Sequence, residues 1–112
     1  MNHERFNAYR IMWLMVSFDL PTDTKEERRA HSQFRKHLKK CGFQMFQYSI
    51  YTRPCLSVEY ADKYKAAVKR GLPQKGHIAI SNMTDKQFGM IEVYHGIKPT
   101  SHNARVSQLE FF

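Results

Sequence analysis

Cysteine is scarce in this chain. Two residues, Cys41 and Cys55, occur among 112, and no short spacing pairs them. That excludes a disulfide framework and a cysteine-rich zinc site, and it suits a reducing cytoplasm. No apolar run approaches the length that spans a bilayer, and residues 1–10 lack the apolar centre of a signal peptide. A cytoplasmic protein with no membrane contact is expected. Internal repeats and low-complexity stretches are missing. So are a nucleophile elbow, a phosphate-cradling glycine loop and a dinucleotide fingerprint, while Gly71 and Gly76 read as simple turn glycines. The histidines, at 3, 31, 37, 77, 95 and 102, show no metal-ligand spacing. Acids are also few: 10 Asp and Glu stand against 18 Lys and Arg, giving a net charge of +8. A balance this basic favours a polyanionic partner, with nucleic acid ahead of an acidic membrane surface, over charge that serves solubility alone.

What is present is ordinary globular material, 42% hydrophobic and 25% charged, enough for one domain. The run from Ile11 to Leu20 is almost wholly apolar and reads as a buried strand, ended by Pro21. One carboxylate, Asp19, stands at its tip. A charge there is costly unless it is solvated, paired or bound to a metal, and loops at strand ends are where sites are commonly built. Asp19 is the first candidate site residue; Asp23 more simply serves the helix start that follows.

That helix begins at Thr24, whose spacing to Glu27 matches a capping box, and runs to about Cys41 with Gly42 as its stop. Ala30, Phe34, His37, Leu38 and Cys41 share one face. Lys25, Arg28, Arg29, Arg35, Lys36, Lys39 and Lys40 share the opposite arc, with no acid among them. Such an arc fits a phosphate-binding face better than a merely solvated one. His31 and His37 read as packing residues.

Residues 43–53 form either one long bulged strand or two short ones, broken by Pro54. Alternation puts Phe46, Tyr48 and Ile50 on one face and Gln47, Ser49, Tyr51 and Arg53 on the other. A second helix follows from about Val58 to Arg70, with Tyr60, Tyr64, Ala67 and Val68 inward. A strand over 76–82, a turn at 84–87 and a strand over 89–95 read as a hairpin. The tail, 97–112, is polar and ends in Leu109-Glu110-Phe111-Phe112, a segment suited to docking on a partner.

The order predicts an α+β fold, a ferredoxin-like βαββαβ sandwich over residues 1–96 with an extra C-terminal strand and a polar leader at 1–10. Both helices then cover one sheet face. The other, carrying Gln47, Ser49 and Tyr51, is free for dimerisation or ligand binding.

Four segments taken together resemble one family. They are Phe18-Asp19-Leu20-Pro21, Phe34-Arg35-Lys36-His37-Leu38, the Gly42-Phe43 turn into Gln47-Tyr48-Ser49-Ile50-Tyr51, and Thr84-Asp85-Lys86-Gln87-Phe88. The family is that of the small CRISPR-associated adaptation protein, the non-integrase subunit of the spacer-acquisition complex, also described as an endoribonuclease. The likeness runs from about residue 9 to 96 and is greatest to members that accompany type II effectors. It implies a homodimer with its sheets face to face, bringing two copies of Asp19 towards the two-fold axis. It also implies a place between integrase dimers, holding a short duplex DNA along its basic surface; the helical arc, with Arg53, Lys63, Lys65, Lys69, Arg70 and Lys75, offers the cations to meet its phosphates. Metal-dependent cleavage of RNA or DNA would use Asp19 as metal ligand and catalytic residue, with Mg²⁺ shared across the dimer. Three functions stay open at this level: a DNA-bridging subunit, a stand-alone metal-dependent endoribonuclease, and a single-strand RNA-binding module. The third lacks the aromatic-glycine pattern expected on its central strands.

Overall fold

The computed structural model describes residues 11–100. The expected leader at 1–10, the apolar end of the tail, His3 and His102 lie outside the described residues. In chain order the elements are β1 (Met12–Asp19), α1 (Lys25–Lys40), β2 (Gln44–Gln47), β3 (Ile50–Cys55), α2 (Val58–Lys69), β4 (His77–Thr84), α3 (Asp85–Gly89), β5 (Val93–His95) and β6 (Lys98–Thr100). The main sheet is antiparallel in the order β2-β3-β1-β4, with α1 and α2 packed on one face, which is the ferredoxin-like arrangement. No helix among the described residues is long and apolar enough to cross a membrane.

The helix starts follow from their side chains. Thr24 caps α1, accepting from the Glu27 amide at 3.1 Å while Glu27 accepts from the Thr24 amide at 3.0 Å. At the other end Gly42 takes φ +85°, a left-handed turn that also leaves room for the Arg53 guanidinium, which a Cβ there would overlap. Leu14, Val16 and Phe18 of β1 bury themselves against Phe34 and Leu38 of α1 and Ala61 and Val68 of α2. Phe18 meets the Phe34 ring edge-on at 5.2 Å. The helices are further locked by His37, which hydrogen-bonds the Ala67 carbonyl at 2.8 Å. Its ring lies where a Cβ on Gly71 would be, so Gly71 is a packing position as well as a turn residue.

Residues 43–53 resolve into two strands, separated by a turn at Tyr48–Ser49, with a bulge between Met45 and Gln47. Phe46 and Ile50 still share one face and Tyr51 and Arg53 the other, as alternation predicts; what is corrected is which face the helices cover. Register on β1 sets Tyr51 opposite Val16, on the helix-covered face, fully buried against Phe18, and not on the dimer face assigned to it. Phe46 is carried to the opposite face, beside Trp13. Pro54, expected to break the strand, sits inside β3 opposite Trp13. β2 pairs with β3 no further than Thr52, so one side of β3 is an open edge at Pro54, where a missing N–H is tolerated. On α2 the inward residue is Ala61 instead of Tyr60, which is exposed.

The C-terminal part differs most. Residues 84–89 form the capped helix α3 and not a plain turn, with Thr84 and Gln87 exchanging hydrogen bonds at 3.1 and 2.9 Å. β5 does not pair with β4; it pairs with β6 in a separate two-stranded sheet, so the tail region begins with a strand. The cause is Trp13. Its ring stacks on Phe88 at 3.8 Å, and its Nε1–H donates to Asp85 at 2.7 Å. These contacts fold residues 85–93 over the second sheet face instead of adding them at its edge, and Phe46, Phe88 and Val93 complete a second small core there.

Candidate functional site

The second face of the sheet is divided. Trp13, Met15, Ser17 and Asp19 project to it from β1 by alternation. At the Trp13 end α3 and β5 close the face. At the Asp19 end nothing among the described residues covers it. There Ser17, Asp19, Ser49, Ile50, His77 and Ala79 border a shallow hollow of about 380 Å³. Asp19 is exposed at the strand tip, as its position before Pro21 requires. Its place is held from behind by Gly76, which has φ +98°. A Cβ there would come within 2.8 Å of the Asp19 carbonyl oxygen and 2.5 Å of Leu20, so this glycine too is more than a simple turn residue.

Directly across the β1–β4 ladder from Asp19 stands His77. Residues opposed in this way carry Cβ atoms about 5 Å apart, on the same face. Sequence reasoning left His77 without a partner, because the register that pairs it with Asp19 joins residues remote in the chain and has no local signal. Of the expected dimer-face residues, Ser49 borders the hollow, Gln47 is exposed at the end of β2, and Tyr51 is on the far side of the sheet.

Among the described residues no three His, Cys, Asp or Glu side chains gather to hold a metal. One chain offers Asp19 with His77 beside it. Magnesium prefers several oxygen ligands in octahedral geometry, so the donors of a single chain do not fit it. Both thiols are pushed up by burial, which leaves them poor nucleophiles.

The basic arc of α1 lies on the opposite side of the molecule, because His31, Phe34 and Leu38 turn the other side of that helix to the sheet. Lys25, Arg29, Lys36, Lys39 and Lys40 are exposed on it. Arg28 is exposed as well, with its guanidinium donating to the carbonyls of Thr22 and Asp23 at 3.2 and 3.1 Å. Arg35 is half-buried and donates from Nε to the Tyr51 hydroxyl at 3.1 Å. Arg53 sits apart from the arc as a strut, 3.7 Å above the Tyr64 ring and bonded to the Cys41 carbonyl at 3.2 Å. Among the described residues, Lys25, Arg29, Lys36, Lys39 and Lys40 of the arc make no side-chain bond to the fold, while Arg28, Arg35 and Arg53 are engaged with it.

Comparison with known proteins agrees with this architecture. The sequence profile of the family described as CRISPR associated protein Cas2 matches residues 12–91, from the start of β1 to the segment after α3. A relative from Flavobacterium psychrophilum, named CRISPR-associated endoribonuclease Cas2, is 46% identical over 111 residues, covering 99% of this chain and 96% of its own. One of the same name from Parvibaculum lavamentivorans is 43% identical over 101 residues, covering 90% and 100%. Another from Streptococcus mutans is 38% identical over 100 residues, covering 89% and 92%. With the profile spanning both sheet faces and relatives aligned over nearly the whole length, the chain belongs to the Cas2 family of CRISPR-associated proteins.

Proposed function

We propose that this protein is the DNA-bridging subunit of a CRISPR spacer-acquisition complex in the cytoplasm. Two copies pair through the open half of the sheet. The pair lies between dimers of the integrase and carries protospacer duplex DNA along the basic arcs of its two α1 helices. The observation that carries this reading is the separation of the two surfaces: Asp19 and its hollow are on one side of the sheet, and the cation arc is on the outer side of α1. Pairing through one leaves the other free. An isologous contact doubles both the basic surface and the carboxylate. The cations can meet phosphates without reading base edges, so binding is sequence-independent and weakens steeply with salt.

A second reading is favoured by the relatives' name, endoribonuclease, and by the exposed carboxylate opposite a histidine. In a face-to-face pair the two Asp19 side chains would be the hard donors offered to a magnesium ion, and RNA or DNA cleavage would depend on them. The scaffold role needs no such chemistry.

One assay separates the two: spacer integration in vitro with the cognate integrase, comparing wild type and Asp19→Ala. Equal stimulation by both makes the protein a scaffold. Loss of stimulation with DNA binding intact makes the carboxylate central. Absence of stimulation by wild type overturns the acquisition role and leaves magnesium-dependent cleavage, abolished in Asp19→Ala, as the reading to test.

A further inference from the structure

Tyr48 is out of place for a packing residue. It stands in the β2–β3 turn with 66% of its surface exposed, yet it is not loose. Its ring lies 6.0 Å from that of His31 at 26°, a near-parallel stack on a side chain that is itself 8% exposed. The Arg35 guanidinium lies over the Tyr48 ring, 5.7 Å from its centroid, and the Arg35–Tyr51 hydrogen bond fixes that arginine in turn. An exposed aromatic ring is thus backed by a buried imidazole and flanked by an anchored cation. Both contacts come from α1, so the ring sits beside the helix that carries the basic arc.

Within a duplex, paired and stacked bases hide their faces, so only the terminal pairs give such a ring anything to hold. An unpaired base does expose a face, and stacking on an aromatic side chain is the common way proteins hold one. An arginine beside the ring meets the phosphate of the same nucleotide, and immobilising it beforehand lowers the entropy lost on binding. We propose that Tyr48, with Arg35 and backed by His31, is a stacking site for one unpaired nucleotide beside the basic arc of α1. The inference deepens the nucleic-acid reading above and is independent of the dimer and of Asp19.

The test uses the full chain and three probes: a blunt DNA duplex, the same duplex with a short single-stranded overhang bearing 2-aminopurine, and a single-stranded RNA of the overhang's length. Wild type binds the overhang duplex more tightly than the blunt one and quenches or shifts the 2-aminopurine signal. Tyr48→Phe keeps both effects. Tyr48→Ala loses the optical signal and weakens overhang binding by about 5-fold to 100-fold, the range expected from stacking one base. Its blunt-duplex affinity stays within about twofold, because phosphate contacts do not involve the ring. A thermal melt of Tyr48→Ala close to wild type shows that the fold is intact. Equal weakening of both duplexes, or of neither, overturns the inference while leaving duplex binding standing. Binding of the RNA alone, lost in Tyr48→Ala, supports the stacking site and overturns the duplex reading. A wild type that binds none of the probes overturns both.

Discussion

One strand serves two surfaces of opposite character on the same side of the sheet. At its first end β1 presents Trp13, 1% exposed and stacked on Phe88 under a lid made by α3 and β5. At its last end it presents Asp19, exposed beside small or polar neighbours, Ser17, His77 and Ala79. The covered half has large rings that fill the space under a local segment of the same chain. The open half is low in relief and lined by short side chains, with Ile50 as its apolar centre. Large side chains specify an intramolecular lid, because only their volume makes closing the face favourable. Small ones leave a flat surface suited to meeting another flat surface. On the reading proposed above, the difference divides folding from pairing: one half closes the chain on itself and the other is left to meet a second copy.

The largest expected effect tests the first half of that division. Trp13→Ala removes the ring that holds α3, and a buried tryptophan truncation costs about 3–5 kcal/mol. Chemical denaturation checks it, and hydrogen exchange in residues 85–95 follows the loosening of the lid. Asp85→Ala is the milder version. It leaves the Trp13 indole N–H, now bonded at 2.7 Å, without its acceptor and costs about 1–2 kcal/mol. A loss in Asp85→Ala as large as that in Trp13→Ala breaks the picture, since the hydrogen bond and not the ring would then be holding the lid.

The open half is tested by a change that should hardly touch the fold. Ala79→Arg puts a long cation in the hollow, and an exposed substitution of this kind alters intrinsic stability by about 0.5 kcal/mol or less. Light scattering should report a dimer for wild type and a monomer for the variant. The wild-type melting temperature should rise with protein concentration and that of Ala79→Arg should not, because association stabilises by mass action. A variant that stays dimeric places the interface elsewhere and removes the reason for two Asp19 residues to meet.

The same division explains what could be read from the sequence. β1, α1 and the end of α1 were legible because their signals are local: an apolar run closed by Pro21, the Thr24–Glu27 capping box, and Gly42. Asp19 was legible as a charge at a strand tip. α3 carries the same box in Thr84 and Gln87, but a helix of one turn is fixed by its docking on Trp13, 72 residues away in the chain, and not by its own pattern. Tyr51 was put on the uncovered face because alternation tells only which residues share a face; which of the two the helices cover is fixed by the register of β3 on β1, which sets Tyr51 opposite Val16. His77 was invisible as a site residue for the reason that Asp19 was visible. Its meaning lies wholly in the register of β4 on β1.

The smallest expected effect separates acid sensitivity of the fold from any acid sensitivity of the open half. Glu27, in the first turn of α1, lies in neither half. Its carboxylate accepts from the amides of Thr24 and Asp23, both at 3.0 Å, and sits 3.9 Å from the Lys75 ammonium. The Thr24 amide, followed by the other partners, holds its pKa below the ordinary 4.5 despite the opposing effect of burial. A carboxyl depressed in the folded state stabilises the fold fully above its ordinary pKa and loses that contribution as pH falls through the lower, folded value. Glu27→Gln keeps an acceptor for the cap, as Gln87 does on α3, but has no charge to titrate. The variant should be slightly less stable than wild type near neutrality, show a flatter dependence below about pH 4.5, and converge with wild type in stronger acid. Melts of wild type, Glu27→Gln and Ala79→Arg across that range check this. If Ala79→Arg keeps the wild-type slope and Glu27→Gln flattens it, the acid loss belongs to the helix cap; a slope that flattens in Ala79→Arg instead ties it to the pairing of the open halves.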